Sequence, residues 1–383
     1  MDGRVYLKRV GEYGADTVRS AIEEAFSALG IGRGDFAGKK VVVKPNLILK
    51  TPPEKAATTH PSVIRAICSV LSDYGVRPVI AESSGGIYTS ARMASIYRTC
   101  GIEAAAEGLA DLNTDISAEP VMYRGGEALR SFNIIKPIAD ADVIIDATKL
   151  KSHSLTKMTG AVKNLFGVIP GIEKFEMHAR FPDEDGFSKA ITDICSYLCE
   201  NKRVIAITDA IVCMEGNGPT GGRPKKVGYL LVSENPSASD SVAAEILGFD
   251  GVKIVEAAEA RGLFNGRDSV EIMGDEPVPV RGFAAPDSKK HGSVRLLSLL
   301  STKGLGRYFT PRPAINGKKC VGCGECVRSC PQHTISLVTV KGKKRAAIDG
   351  TKCIRCFCCQ ELCPHVAIKT VRNPIVSVAD IRK

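Results

Sequence analysis

Along the first two thirds of the chain, apolar residues come in short continuous runs separated by stretches with helical spacing. The runs fall at residues 5–10, 39–46, 78–86, 142–146 and 204–209, and a further strand is expected at 270–273. Between them, residues 16–29, 62–74 and 90–109 repeat apolar side chains every three or four positions, as at Ala66, Ile67, Val70 and Leu71. Runs without polar alternation are the mark of strands buried on both faces. Helical connections between such strands predict a three-layer α/β domain with a largely parallel sheet, closed by a helix reaching Leu263.

The runs end on polar residues: Lys44 and Asn46, then Glu82 and Ser83, then Asp146 and Lys149, then Asp209. Ligands of open α/β sheets bind beyond the carboxyl ends of the strands, so these ends predict a binding rim. Wet loops alone would give the same pattern at any single strand. Residues 148–167 are the most informative stretch. If the chain stays extended from Lys149 to His153, then Lys149, Lys151 and His153 project to one side. The residues that follow fit a helix burying Met158, Val162, Leu165, Phe166 and Ile169, with Lys157, Gly160, Asn164 and Gly167 on its other face and Lys163 beside them.

Cations gathered around a loop and a helix start suit a phosphate or carboxylate, whereas solvated lysines on an amphipathic helix are the alternative. On the first reading Lys44, Asn46, Lys149, Lys151, Lys163 and Asn164 hold an anionic small molecule or cofactor, and His153, Asp209 and Glu215 are the candidates for proton handling. His60, His178 and His291, each alone in its context, read as structural or surface residues. The Gly-rich stretch 214–222 carries neither a dinucleotide nor a Walker fingerprint and reads as a connection or a lid.

Cysteines change the picture at the other end. Cys320-x-x-Cys323-x-x-Cys326-x-x-x-Cys330-Pro331 recurs as Cys353-x-x-Cys356-x-x-Cys359-x-x-x-Cys363-Pro364. Three thiolates at this spacing wrap one corner of an iron–sulfur cube, and the fourth, before proline, reaches the other cube. The crossing assigns Cys320, Cys323, Cys326 and Cys363 to one [4Fe–4S] cluster, and Cys353, Cys356, Cys359 and Cys330 to a second. Structural zinc usually takes its ligands as two separated pairs, and disulfides need an oxidising compartment that nothing at the N-terminus signals. Cys358, directly before a ligand, is a spare thiol that blurs the assignment on its side. Cys68, Cys100, Cys195, Cys199 and Cys213 read as small core hydrophobes.

Composition narrows the partners. The 383 residues are 44% hydrophobic and 25% charged, as in an ordinary globular protein. There is no Trp, which argues against a stacking surface for single-stranded nucleic acid. No apolar run reaches the length of a membrane span, so a cytoplasmic protein with no membrane partner is expected. The formal charge of +10 drops to about +6 once two oxidised clusters contribute about −2 each. A basic balance of that size steers acidic partners or anionic substrates, and nucleic acid is disfavoured.

Residues 315–371 resemble the bacterial-type two-cluster ferredoxin, a small α+β fold. Residues 38–255 resemble the domain-of-unknown-function 362 family, through Lys44-Pro45-Asn46, Lys149-x-Lys151-x-His153, the string from Thr159 to Gly167, Asp209 leading to Met214–Pro219, and Asp240. The family often carries a ferredoxin segment and has no settled reaction, so the likeness implies fold more than chemistry. The expected organisation is an α/β domain over 1–281, a linker over 282–314 with a short helix near 294–300, and a two-cluster domain over 315–383. The expected function is electron transfer through two [4Fe–4S] clusters, between a redox partner protein or reduced carrier and an anionic small molecule. A ferredoxin-type oxidoreductase and an anaerobic setting go with it. A binding, assembly or redox-sensing protein with structural clusters, or non-redox chemistry at the rim, are the alternatives.

Overall fold

The structure is a computed structural model that describes residues 3–289 and 310–371. Most of the expected linker, its short helix near 294–300 and His291 lie outside the described residues.

The strands are β1 (Arg4–Arg9), β2 (Val41–Pro45), β3 (Val79–Ile80), β4 (Asp111–Leu112), β5 (Ala118–Met122), β6 (Ser131–Ile135), β7 (Val143–His153), β8 (Lys157–Thr159), β9 (Arg203–Glu215), β10 (Arg223–Ser233) and β11 (Glu271–Gly274). Nine of them form one sheet in the order β11-β1-β10-β9-β7-β2-β3-β4, with β8 folded back beside β7. Only β10 and β8 run antiparallel to their neighbours, so the sheet is largely parallel.

Helices cover both faces because alternate strand residues point to opposite sides. Val41 and Val43 join one apolar cluster with helices Ala15–Leu29, Pro61–Asp73 and Ser90–Thr99. Val42, Ile144 and Val204 join another with helix Glu184–Asn201. Helix Pro236–Leu247 covers β1, β9 and β10 through a third.

Three features depart from the sequence pattern. The chain does not enter a helix after His153. It turns through Lys157, whose φ of 65° is left-handed, and returns as β8. The helix that follows is only Ala161–Asn164, continued by a 3-10 turn over Leu165–Val168. Strand β10 escapes the pattern because its first half is polar and partly exposed, and only Tyr229–Ser233 is buried. The hairpin of β5 and β6 also goes unforeseen.

The cysteine-rich segment is a separate α+β unit. β12 (Arg312–Ile315) pairs with β15 (Ile368–Val371), and β13 (Ile335–Val340) with β14 (Lys343–Ile348). Short helices Glu325–Arg328 and Cys358–Glu361 follow the two cysteine turns. The unit is seated at the carboxyl ends of the sheet strands. Thr220 Oγ1 donates to the Glu361 carbonyl at 3.0 Å, and Phe175 packs with Cys356, Cys358 and Leu362.

Candidate functional site between the sheet and the cysteine segment

Sheet register sets the charges side by side. Lys44 on β2 is the neighbour of Asp146 on β7, and Lys149 on β7 is the neighbour of Asp209 on β9. Lys44 Nζ donates to Glu82 Oε2 at 2.5 Å, fully buried. Gly167 makes that pair possible, since a Cβ there would lie 2.4 Å from Glu82 Oε1 and 2.5 Å from Lys44 Nζ. A hydrogen-bonded chain runs beside it. Lys151 Nζ donates to Asn46 Oδ1 at 2.7 Å, Asn46 Nδ2 to Asn164 Oδ1 at 2.6 Å, and Asn164 Nδ2 to Asp146 Oδ1 at 2.7 Å. Buried polar groups linked in this way hold one arrangement of the site.

The start of the short helix is not open to a ligand. The Ala161 and Val162 N–H groups donate to Asp240 at 2.6 and 3.1 Å, so an internal carboxylate fills the position expected for an anion. Gly160 lets Asp240 approach, because a Cβ there would stand 2.1 Å from Oδ1.

Next to this network lies a pocket with about 610 Å³ of atom-free space, its mouth included. Asn46, Lys151, His153, Lys163 and Asn164 line it from the sheet side, Glu82 and Ser83 from the end of β3, and Lys174, Phe175 and His178 from helix Glu173–Arg180. Glu361 and Leu362 of the cysteine segment close the wall. His153 Nδ1 accepts the N–H groups of Leu155 and Thr156 at 3.1 and 3.3 Å, which leaves the proton of the neutral ring on Nε2. That Nε2 lies 2.9 Å from Glu361 Oε1, close enough to pair but away from hydrogen-bond alignment, and neither atom has another partner among the described residues. We read the contact as an electrostatic one.

Desolvation dominates the protonation of the wall. Burial, reinforced by Lys163, lowers Lys151 to about 7; burial lowers Lys174 to about 7 against the pull of Glu82. Lys163, half-buried, is also lowered by burial, and its Nζ has no hydrogen-bond acceptor among the described residues. Burial takes His153 to about 4 and His178 to about 3. Burial raises Glu82 although Lys44 and Lys174 oppose it. For Glu361 burial is outweighed by the bases around it, His153 first and then Lys163, and the carboxyl is held at about 2. Lysines poised near neutrality in a dry wall can bind an anion and exchange protons with it.

The thiols gather as the crossed spacing implies. Cys320, Cys323, Cys326 and Cys363 line a second cavity with about 350 Å³ of atom-free space. Cys330 lies close to Cys353 and Cys359, and Cys356 completes that group. Burial and the neighbouring thiols raise Cys326 to about 11, a cost that binding to iron would remove because a metal takes the thiolate. Backbone N–H groups already point at the sulfurs, from Ala346 to Cys320 at 3.4 Å, Thr334 to Cys330 at 3.3 Å and Ala367 to Cys363 at 3.2 Å. Such donors tune cluster potentials, so this donor set fits an iron–sulfur cluster. Cys358 is buried beside Cys356, against Phe175 and Leu362.

Of the residues singled out from sequence, Asn46, Lys151, His153, Lys163 and Asn164 meet at the pocket, while Lys44 stands one layer behind it. Lys149 and Asp209 do not reach its wall. They pair at 2.8 Å in a separate buried group with Tyr13, which stacks on His60. Glu215 also lies away from it, bound to Arg223, Lys225 and the Ala284 N–H. Lys174, His178 and Glu361 escape sequence reading. The spacing of Lys174 and His178 by four was the available signal, and Glu361 has none until the domains are docked. The 214–222 loop is held on both sides, by Ser152 and Ser154 and by its contact from Thr220 to the cysteine segment.

Known protein families match two stretches of the chain. A family model described as "Domain of unknown function (DUF362)" matches residues 41–245, and a "4Fe-4S dicluster domain" matches 319–367. A thylakoid-associated protein of Synechocystis sp. is 32% identical over 270 residues, covering 68% of this chain and 79% of that one. Among solved structures, a Thermotoga maritima protein has a TM-score of 0.37 at 12% identity, over 62% of this chain and 59% of its own. The lactate racemase apoprotein of Thermoanaerobacterium thermosaccharolyticum has a TM-score of 0.38 at 15% identity, over 63% of this chain and 57% of its own. The chain thus spans less than two thirds of either structure. The matched family model covers more than half of the chain, from β2 into the helix after β10, and the chain belongs to the DUF362 family, with a 4Fe–4S dicluster domain following it.

Proposed function

We propose that the protein carries two [4Fe–4S] clusters and passes electrons between them and an anionic small molecule held in the pocket between its two domains. One observation carries this reading. The pocket that gathers Lys151, Lys163 and Lys174 shares its wall with Glu361 and Leu362, which lie between the ligand cysteines Cys359 and Cys363.

The clusters would supply one-electron transfer, and the chain's own residues do the rest. Lys151, Lys163 and Lys174 attract and orient the anion, with the Asn46–Asn164 pair fixing Lys151. His153 and the near-neutral lysines stand where a proton can follow an electron. Phe166, Phe175 and Leu362 exclude water, which strengthens every charge interaction inside.

The experiment begins with protein prepared without oxygen. Two clusters require about eight irons and eight sulfides per chain, and about four of each remain in Cys326→Ser or Cys359→Ser. A redox titration followed by electron paramagnetic resonance then tests the reading, which is lost if neither cluster is reduced reversibly. Phosphate and malonate serve as anion probes, and Lys151→Met should weaken them at least tenfold.

A further inference from the structure

Segment 310–371 has eleven Lys and Arg against three Asp and Glu. One of the three, Glu361, faces the pocket, and another, Glu325, is paired with Arg328 at 2.7 Å. The two cysteine groups face different ways. Cys356 is buried against Phe175 of the α/β domain, on the pocket side. In the other group Cys323 is exposed, and Val321 beside it is 57% exposed.

The rim of that opening is cationic. Arg328 Nη2 donates to the Cys323 carbonyl at 3.3 Å, and Arg345 Nη1 donates to the Cys320 carbonyl. The turn lies against β14, since a Cβ on Gly322 would be 2.7 Å from the Lys344 carbonyl oxygen. Exposed Lys319 leads into it. An exposed ligand with an apolar spot at its centre and cations around it is a place for close electron exchange with an oppositely charged surface.

We propose that this face docks an acidic one-electron carrier protein, whose electron enters at the Cys320, Cys323, Cys326 and Cys363 group. The inference rests on the redox reading above and adds the partner and the point of entry. The carrier is oxidised by one electron and the cluster reduced by one; no bond forms or breaks. Two clusters still leave the segment cationic, and opposite charge raises the encounter rate while salt screens it.

The test uses cluster-loaded full-length protein and a flavodoxin, an acidic one-electron flavoprotein. Oxidised flavodoxin is titrated against the protein at several salt concentrations, and electron transfer from reduced flavodoxin is timed by stopped flow. Binding should weaken with salt, and the double variant Lys319→Glu, Lys344→Glu should lose about tenfold in both affinity and rate. Reduction by the methyl viologen radical, a cation, should not slow in that variant. Lys39→Glu, at the other end of the sheet strands, should change neither. The proposal is overturned if flavodoxin binding ignores salt or the double substitution, or if heparin or phosphatidylglycerol vesicles bind that face while flavodoxin does not. A protein that binds flavodoxin but is not reduced even by methyl viologen would instead defeat the redox reading, leaving the docking face established.

Discussion

His153 Nε2 of the α/β domain and Glu361 Oε1 of the cysteine segment stand 2.9 Å apart across the domain seam. The neutral ring and the carboxylate face each other between the end of β7 and the helix that carries Cys359, so the pocket exists only when the two units are docked. Removing the carboxylate leaves the polar Nε2–H of His153 facing nothing and takes from Lys163 its main opposing charge. Glu361→Ala should therefore destabilise docking by about 1–3 kcal/mol. Hydrogen exchange would report it as lost protection of Cys358–Glu361 and of the 214–222 loop. Unchanged protection in both would remove Glu361 from this role.

The close approaches at Gly160 and Gly167 predict steep costs for a single methyl group. In Gly167→Ala the Cβ meets the buried Lys44–Glu82 pair, and in Gly160→Ala it meets Asp240, whose oxygens are engaged by two backbone donors. Neither neighbour can swing away without uncovering a buried charge. Each variant should lose about 2–4 kcal/mol, against a few tenths for Gly34→Ala, where a Cβ meets nothing within 4 Å. Denaturant midpoints decide this.

Anion affinity should depend on pH through Lys151 and Lys174. Both sit at about 7, so at pH 8.5 they are largely neutral and a bound anion must draw protons onto them. Phosphate binding should take up protons near pH 8, with uptake fading below pH 6 where both amines are already charged. Calorimetry in buffers of different ionisation enthalpy measures this number directly. The phosphate itself titrates near neutrality, so the comparison between native protein and Lys174→Met isolates the lysine. Equal uptake in the two would exclude Lys174.

His178 makes stability fall on the acid side. It is buried on Phe187, with Nδ1 unpartnered among the described residues, and is held at about 3. An unfolded histidine protonates near 6.5, so the stability it contributes is present above that pH and is lost as pH falls toward 3. Asp146 and Asp240, raised by burial to about 7, act in the opposite sense, because the folded state takes their protons first. The difference between native protein and His178→Gln separates the two effects. That difference should shrink by ~1 kcal/mol between pH 6.5 and 5.5. A pH-independent difference would mean that the ring titrates in the folded protein as it does in the unfolded chain.

Some of this architecture is legible one residue at a time. The strands β2, β7 and β9 announce themselves as Val and Ile runs, because a strand covered on both faces needs no polar alternation. The candidate ligand cysteines are equally plain, since cube geometry demands a fixed local spacing. Strand β10 hides its short apolar run behind a polar half, and Lys157 turns left-handed where the periodicity predicts a helix.

The pocket needed the third dimension. Lys149, Lys151 and His153 are alike in sequence, alternating along one strand, yet Lys149 is taken up by Asp209 and Tyr13 while the other two reach the cavity. Which charge is neutralised depends on the register of β7 against β9, a contact between residues 60 apart. Glu361 lies 208 positions from His153 in the chain. Local pattern therefore determines which residues can carry charge or bind iron. Long-range packing determines which of those charges stay free, because only burial and neighbours set the cost of leaving one unpaired.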